Sequence, residues 1–219
     1  MKKKITPVFS VIILIFLVIC AGILSIFIKK YTPSGTTIDG KDYFQLTGDD
    51  EAGLVVNHEL EDAKVKMIDG RYYVENSVVA TYINSRFYWD SQQQVMLYTL
   101  PTEEFQIVPE STQYVTSAGT QTTDYVILKQ MDDGVYLDLE FVSQYTDMTY
   151  TAFEDPARVV VRTNWNDLQL VTAQKNSEIR QKGGIKSSIV AKVKKGDTLY
   201  LQEELDNWSR VATADGYSG

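Results

Sequence analysis

The sequence predicts an α+β protein, mostly β, that follows an N-terminal transmembrane helix. Three observations lead to this fold class: a charge-free apolar run near the N-terminus, Val-, Thr- and Tyr-rich runs separated by polar turns, and a 31-residue unit that occurs twice. Val, Thr and Tyr favour strands, and Asp-Gly pairs between such runs favour tight hairpin turns. The 219 residues are enough for one or two domains.

The first element is the apolar run of residues 8–28, VFSVIILIFLVICAGILSIFI, which lies between Lys2–Lys4 and the pair Lys29 and Lys30. About 20 helical residues cross a hydrocarbon core of about 30 Å. A secretory signal has a shorter apolar core followed by small residues, whereas Ile and Phe fill the last positions here. Residues 1–30 are therefore expected to be an uncleaved signal-anchor that crosses the lipid bilayer through residues 8–28. The lysine excess before the span favours a single-pass protein of the cell membrane whose C-terminal region is extracytoplasmic.

Charge and composition exclude several classes of function. The net charge is −8 overall, −16 over residues 31–157 and +3 over residues 158–219. The acidic part repels phosphate backbones, so no nucleic acid is expected as a partner. One Cys (Cys20) and one His (His58) cannot form a disulfide framework, a Cys/His zinc site or a thiol protease. No metal, cofactor or catalytic residue is therefore assigned, and Cys20 is interpreted as an apolar residue of the membrane helix.

A stalk and a duplicated domain are expected next. Residues 31–53 are rich in Thr, Gly and Asp without a sustained apolar period, which predicts a stalk. Residues 54–164 contain two units, 69–99 and 133–163, that align at an offset of 64 residues. Each unit begins with the Asp-Gly turn of a β-hairpin, continues as the second strand of that hairpin and a short amphipathic helix, and ends as two strands. The sequence therefore predicts two ββαββ halves, which could share one core.

This pattern resembles a known domain. The run DGxYY, apolar helix, FYWD, polar turn, VxLYT, followed by DGxYLxLxFVxQYTD and DPxRVVV, resembles the copper amine oxidase N-terminal-like domain of Gram-positive surface proteins. One His cannot supply the several imidazoles that copper prefers, so the resemblance implies no copper site here.

Residues 175–219 resemble a bacterial SH3 domain. The resemblance rests on Ile179-Arg180, the turn Lys195-Gly196-Asp197, the segment Asn207-Trp208-Ser209-Arg210-Val211 and the final Asp-Gly turn. That family continues after the final Gly with a strand that closes the barrel. An incomplete SH3-like β-barrel is therefore expected, in a chain that is a fragment of a longer one.

The order of anchor, stalk, duplicated domain and SH3 domain resembles the front of Gram-positive (clostridial) membrane-anchored proteins with a glycoside hydrolase family 18 catalytic barrel. That family's catalytic signature, DxxDxDxE, does not occur in residues 1–219, and the paired acids along the chain are expected to be solvated turn residues. The expected function is a membrane-tethered spacer and cell-wall-binding region of a surface glycosidase acting on N-acetylglucosamine-containing glycan. The alternative is a cell-wall-binding scaffold or sensor ectodomain without an enzyme.

One basic stretch could bind the wall. A cluster of cations can bind peptidoglycan or another wall polyanion, and a solvated face is the alternative interpretation. Trp89 and Trp208 are expected to pack in cores, whereas Trp165, at the domain junction, could do either. The candidate wall-binding residues are Arg180, Lys182, Lys186, Lys192, Lys194, Lys195 and Trp165.

Overall fold

The N-terminal helix is exposed along residues 9–31. A computed structural model of the chain describes residues 7–131, 133–163 and 168–219. Helix α1 (Pro7–Tyr31) ends with Lys29 and Lys30 in its last turn. Its side chains from residue 9 onward are exposed, and it is long enough and apolar enough to cross a membrane. The predicted apolar helix is therefore present.

The segment expected to be a stalk is partly folded. Helix α2 (Gly40–Tyr43) is capped by Asp39, whose carboxylate accepts a hydrogen bond from the Lys41 amide at 2.8 Å. Phe44 is fully buried, and Thr37 forms a parallel bridge with Ile189. The few apolar residues of this segment show no regular spacing in the sequence, because they pack against parts of the chain that come later.

The next part forms two open sheets. Its elements in chain order are β1 (Glu51–Val56), β2 (Glu59–Ile68), β3 (Arg71–Glu75), α3 (Asn76–Val78, continued by a π-helical turn Val79–Ile83), β4 (Phe87–Asp90), β5 (Val95–Thr99), β6 (Glu104–Ile107), β7 (Gln113–Thr116), β8 (Gly119–Thr122), β9 (Leu128–Met131), β10 (Gly134–Asp138), α4 (Leu139–Gln144), β11 (Met148–Glu154) and β12 (Ala157–Thr163). One sheet has the order β11-β12-β1-β2-β3-β10-β9, and the other has the order β4-β5-β6-β7-β8. Only β1 and β12 pair in parallel in the larger sheet.

Both repeats have the predicted order of hairpin, helix and hairpin. The units are β2-β3-α3-β4-β5 and β9-β10-α4-β11-β12. Asp69 and Gly70 both have positive φ, 53° and 75°, as the tight turn between β2 and β3 requires. The two halves nevertheless differ in placement, because the first sends β4 and β5 into the smaller sheet while the second keeps all four strands in the larger one.

One hydrophobic core serves both halves. It joins Val79 and Phe87 of the first repeat to Phe141 and Val142 of the second, between the two sheets. The larger sheet is also covered on its opposite face at β1 and β12. There Val55 and Val160 pack with Phe44 in a separate small cluster, and Tyr217 packs against it.

The last part contains two smaller sheets. Its strands are β13 (Gln169–Thr172), β14 (Ser177–Arg180), β15 (Ile189–Val193), β16 (Thr198–Glu204) and β17 (Ser209–Ala212). Strands β13, β16 and β17 form one sheet and β14 and β15 the other, and no closed barrel forms in the described residues. Gly219 exchanges two backbone hydrogen bonds with Val211, at 3.0 and 3.1 Å. A groove of about 620 Å³ remains between β14 and β17.

A buried arginine connects this last part to the larger sheet. Arg158 donates to the carbonyl and to the carboxylate of Asp215, at 2.6 and 3.0 Å, and to the Pro156 carbonyl at 2.8 Å. Gly216, with φ 94°, brings this turn against Val55 and Val160. The two parts therefore meet through both apolar and charged contacts.

Candidate functional site

The predicted basic residues lie on the β14–β15 hairpin, but the structure separates them into two groups. Residues 181–188, here called the helix-side loop, connect the two strands next to helix α1. The turn after β15 lies at the other end of the strand. Because Thr37 and Ile189 pair in parallel, β15 runs in the same direction as the chain leaving the helix. Five strand residues span about 16 Å, so the two groups are well separated.

Arg180 is a structural residue of this hairpin. It is buried, and its guanidinium donates to the carbonyls of Ser34 at 3.0 Å and Ile185 at 3.2 Å and pairs with the Glu178 carboxylate. These partners use its donors within the protein. Arg180 therefore holds the segment after helix α1 against the hairpin.

Lys186 and Lys182 belong to the helix-side loop. The Lys186 ammonium donates to the backbone carbonyls of Lys29 and Thr32, at the end of helix α1. The Lys182 side chain is exposed, while its backbone amide donates to the Ser187 hydroxyl at 2.9 Å. Sequence spacing alone did not indicate that these lysines lie beside the N-terminal helix.

Lys192, Lys194 and Lys195 lie at the other end of β15, together with Lys175; these four residues are here called the distal lysines. All four are exposed, and none has an ion pair within 4 Å among the described residues. Lys192 and Lys194 share one face of the strand, because Val193 between them points into the core.

Local hydrogen bonds fix the backbone at this end. The Lys194 amide donates to the Asp197 carboxylate at 2.7 Å, and the Lys195 amide donates to the Asn176 side chain at 2.9 Å. The second bond connects the start of β14 to the turn and brings Lys175 to the same end. Lys175 was missed in the sequence because only the strand register, with Ser177 opposite Val193, places it there.

The tryptophans differ from one another in their surroundings. Trp89 is partly buried against the main core, as predicted. Trp208 is half-buried and lines the groove between β14 and β17, where it lies over Gly183. It was expected to pack in a core, but the two sheets of this part do not close around its ring, which lies at the edge of the groove between them. Trp165 lies outside the described residues.

Two acidic residues, Asp138 and Glu51, have clear structural roles. Asp138, which sequence reasoning did not single out, is buried and accepts two hydrogen bonds from the Arg71 guanidinium, at 2.6 and 2.7 Å. It also caps helix α4 by accepting from the Phe141 amide. A hydrogen bond from the Lys66 ammonium lowers the pKa of Glu51. Among the described residues, no group of three or more His, Cys, Asp or Glu side chains could hold a metal ion.

His58 lies at the contact between the two parts of the chain. It is buried, and its ring centroid is 4.0 Å from that of Tyr200. Burial, followed by the nearby Arg162 charge, lowers its pKa to about 4. The ring is therefore neutral near pH 7 and packs as an interface residue.

Comparisons with protein-family models, with characterised proteins and with solved structures found no match to this chain. The distal lysines, the groove beside Trp208 and the helix-side loop are therefore interpreted from their own chemistry.

Proposed function

We propose that the region after helix α1 is a non-catalytic, membrane-tethered spacer that binds an anionic cell-wall polymer through the distal lysines. The observation that carries this proposal is their placement: four exposed lysines without ion-pair partners among the described residues, at the end of β15 that points away from helix α1. Lysine ammonium groups with unused donors suit phosphate or carboxylate groups of a polymer.

The charge distribution favours one contact region for such a polymer. Residues 31–157 carry a net charge of −16 and repel a polyanion, whereas residues 158–219 carry +3. Exposed charges act over only about 8 Å at physiological ionic strength. A polyanion is therefore attracted locally at the distal lysines and disfavoured along the acidic sheets.

The rest of the chain supports a spacer role. Helix α1 supplies a membrane anchor in this proposal, and the contacts of Arg158 and Phe44 make the two following parts one continuous body. Such a body holds the distal lysines away from the lipid. In the proposed orientation the N-terminus is cytoplasmic and the two sheet-containing parts are extracytoplasmic.

The resemblance seen in the sequence extends the proposal to a glycoside hydrolase of family 18, which this region would present to N-acetylglucosamine-containing glycan. A wall-binding scaffold or sensor ectodomain without an enzyme uses the same binding step. The reading frame around this chain distinguishes the two: a barrel with a DxxDxDxE strand end supports the glycosidase, and its absence from the full gene refutes it.

Sedimentation with purified Gram-positive cell walls tests the binding step. The triple variant Lys192→Glu, Lys194→Glu and Lys195→Glu should bind at least about tenfold more weakly, since exposed ionic contacts contribute about 0.5 kcal/mol each and charge reversal adds repulsion. Lys41→Glu, Arg86→Glu and Lys182→Glu make the same change of charge at exposed positions away from the distal lysines and serve as the control. Equal loss in both triple variants would refute a local site.

A further inference from the structure

The helix-side loop is held against the last turn of helix α1. Lys186 donates to the carbonyls of Lys29 and Thr32, and the Ser34 amide donates to the Ile185 carbonyl at 2.7 Å. The last carbonyls of a helix lack partners within it, and a cation there also interacts favourably with the helix dipole. These contacts keep the loop beside the end of the apolar helix, while the loop's approach to the lipid still depends on the tilt of the whole body.

The geometry also sets the depth of the loop. Ile28 is the last residue of the apolar run, and a helix rises about 1.5 Å per residue, so Lys29 and Thr32 lie about 1.5 and 6 Å beyond it. The headgroup layer on each side of a bilayer is roughly 5–8 Å thick. When residues 8–28 fill the hydrocarbon core, the Lys186 ammonium therefore lies at the depth of the lipid headgroups.

The side chains around this point suit that environment. Lys29, Lys30, Lys182 and Lys186 are basic, and residues 29–38 and 181–188 contain no Asp or Glu. Two apolar or aromatic side chains are exposed beside them, Ile185 and Tyr31. Lysines with aromatic and apolar neighbours are typical of the boundary between hydrocarbon and water.

We propose that the helix-side loop is a second membrane contact, at which Lys182 and Lys186 bind the phosphate groups of anionic phospholipids. This inference rests on the membrane anchoring of helix α1 proposed above. The contact holds the hairpin upright on the bilayer, because β15 starts at the loop and runs away from the helix. The distal lysines are then directed away from the lipid and towards the wall.

Fluorescence quenching in lipid nanodiscs tests the contact on the full chain. The native thiol is removed with Cys20→Ser, and a single cysteine carrying a polarity-sensitive fluorophore is placed by Ile185→Cys in the loop or by Thr198→Cys beyond the distal turn. Discs contain phosphatidylcholine with or without about one-third phosphatidylglycerol, plus a lipid with a nitroxide on its headgroup. We expect strong quenching at position 185 in the anionic discs and little at position 198 in either disc.

Charge reversal separates electrostatic contact from mere proximity. Lys182→Glu leaves the Lys186 hydrogen bonds in place. It removes one attraction to the anionic lipid, which favours contact about fivefold, and adds a repulsion of similar size. The equilibrium between contact and separation should therefore shift by about 25-fold. Quenching at position 185 should then fall, while the matched variant Lys192→Glu should leave it unchanged.

Three results would overturn the inference: equal quenching at positions 185 and 198, quenching at 185 that Lys182→Glu does not change, or quenching independent of anionic lipid. A chain that does not enter the discs refutes the anchor as well. Wall binding is scored separately, and Lys182→Glu should not affect it, so failure of the lipid contact and failure of the wall site are distinguishable.

Discussion

Arg158→Met should loosen the contact between the larger sheet and the C-terminal part of the chain. Arg158 is 4% exposed, and its guanidinium forms hydrogen bonds to the carbonyl and carboxylate of Asp215 and to the Pro156 carbonyl. It also lies over the Phe153 ring, with its central carbon 4.3 Å from the ring centroid. Methionine keeps an apolar chain of similar length but removes every donor.

The expected loss in the free energy of unfolding is about 3 kcal/mol. Removing one partner of a buried ion pair typically costs about 3–5 kcal/mol. The lower end applies here because the Asp215 side chain is 42% exposed and regains water when its partner is lost. The two carbonyls lose a charged donor as well, and their partial exposure to water offsets some of that cost.

Urea unfolding of a soluble fragment of residues 31–219, followed by tryptophan fluorescence, measures this loss. Arg86→Met removes the same charge from an exposed position and should change the free energy by less than about 0.5 kcal/mol. Asp215→Asn combined with Arg158→Met completes a double-mutant cycle, in which the pair should show a coupling of about 1–2 kcal/mol. If Arg158→Met costs no more than Arg86→Met, the described interface does not contribute to stability.

Three further predictions concern pH, backbone shape and catalysis. The folded-state pKa of His58 is about 4 against 6.5 for the free side chain, so its contribution to stability is complete above pH 6.5 and decreases by about 3 kcal/mol as the pH falls to 4. His58→Phe should remove this part of the pH dependence of the free energy of unfolding in urea, and an unchanged pH profile would contradict the prediction. Gly216→Ala places a Cβ 3.0 Å from a Val160 methyl group at φ 94° and should lower the free energy of unfolding by about 2 kcal/mol. Gly119→Ala, at a position with positive φ but open space, should lower it by about 1 kcal/mol. Equal thermal destabilisation by the two variants would refute the steric reason. The purified chain should release nothing from chitin oligomers or peptidoglycan above buffer, and turnover abolished by Asp147→Asn, Glu154→Gln or Asp155→Asn would place an active site in the second repeat.

Local sequence patterns were sufficient for the elements of the two repeats. The Asp69-Gly70 turn and the short helix that follows it in the repeat depend on nearby residues, and both occur as expected. The placement of the repeats in the two sheets could not be predicted from the sequence, because long-range packing decides whether β4 and β5 join the larger or the smaller sheet. The same reason applies to Phe44, which looked like part of a stalk and is fully buried.

The basic stretch shows the same division between local and long-range information. The sequence identified its lysines, but only the hairpin register and the contact with helix α1 separate Lys186 from Lys194 and bring Lys175 to the distal end. Arg180 looked equivalent to its neighbours, yet the carbonyls that surround it come from residues 34, 185 and 187. Charge can be counted along a chain, whereas the partners that neutralise it depend on the fold.

Binding to intact walls, compared with walls stripped of their anionic polymers, tests the proposed wall attachment most directly. With the full chain in detergent, we expect binding to intact walls at about 0.15 M salt, steep loss at about 0.5 M salt because the ionic contacts are screened, and no binding to stripped walls at either concentration. Equal binding to stripped and intact walls, unaffected by salt, would contradict the account and indicate recognition of peptide or sugar instead.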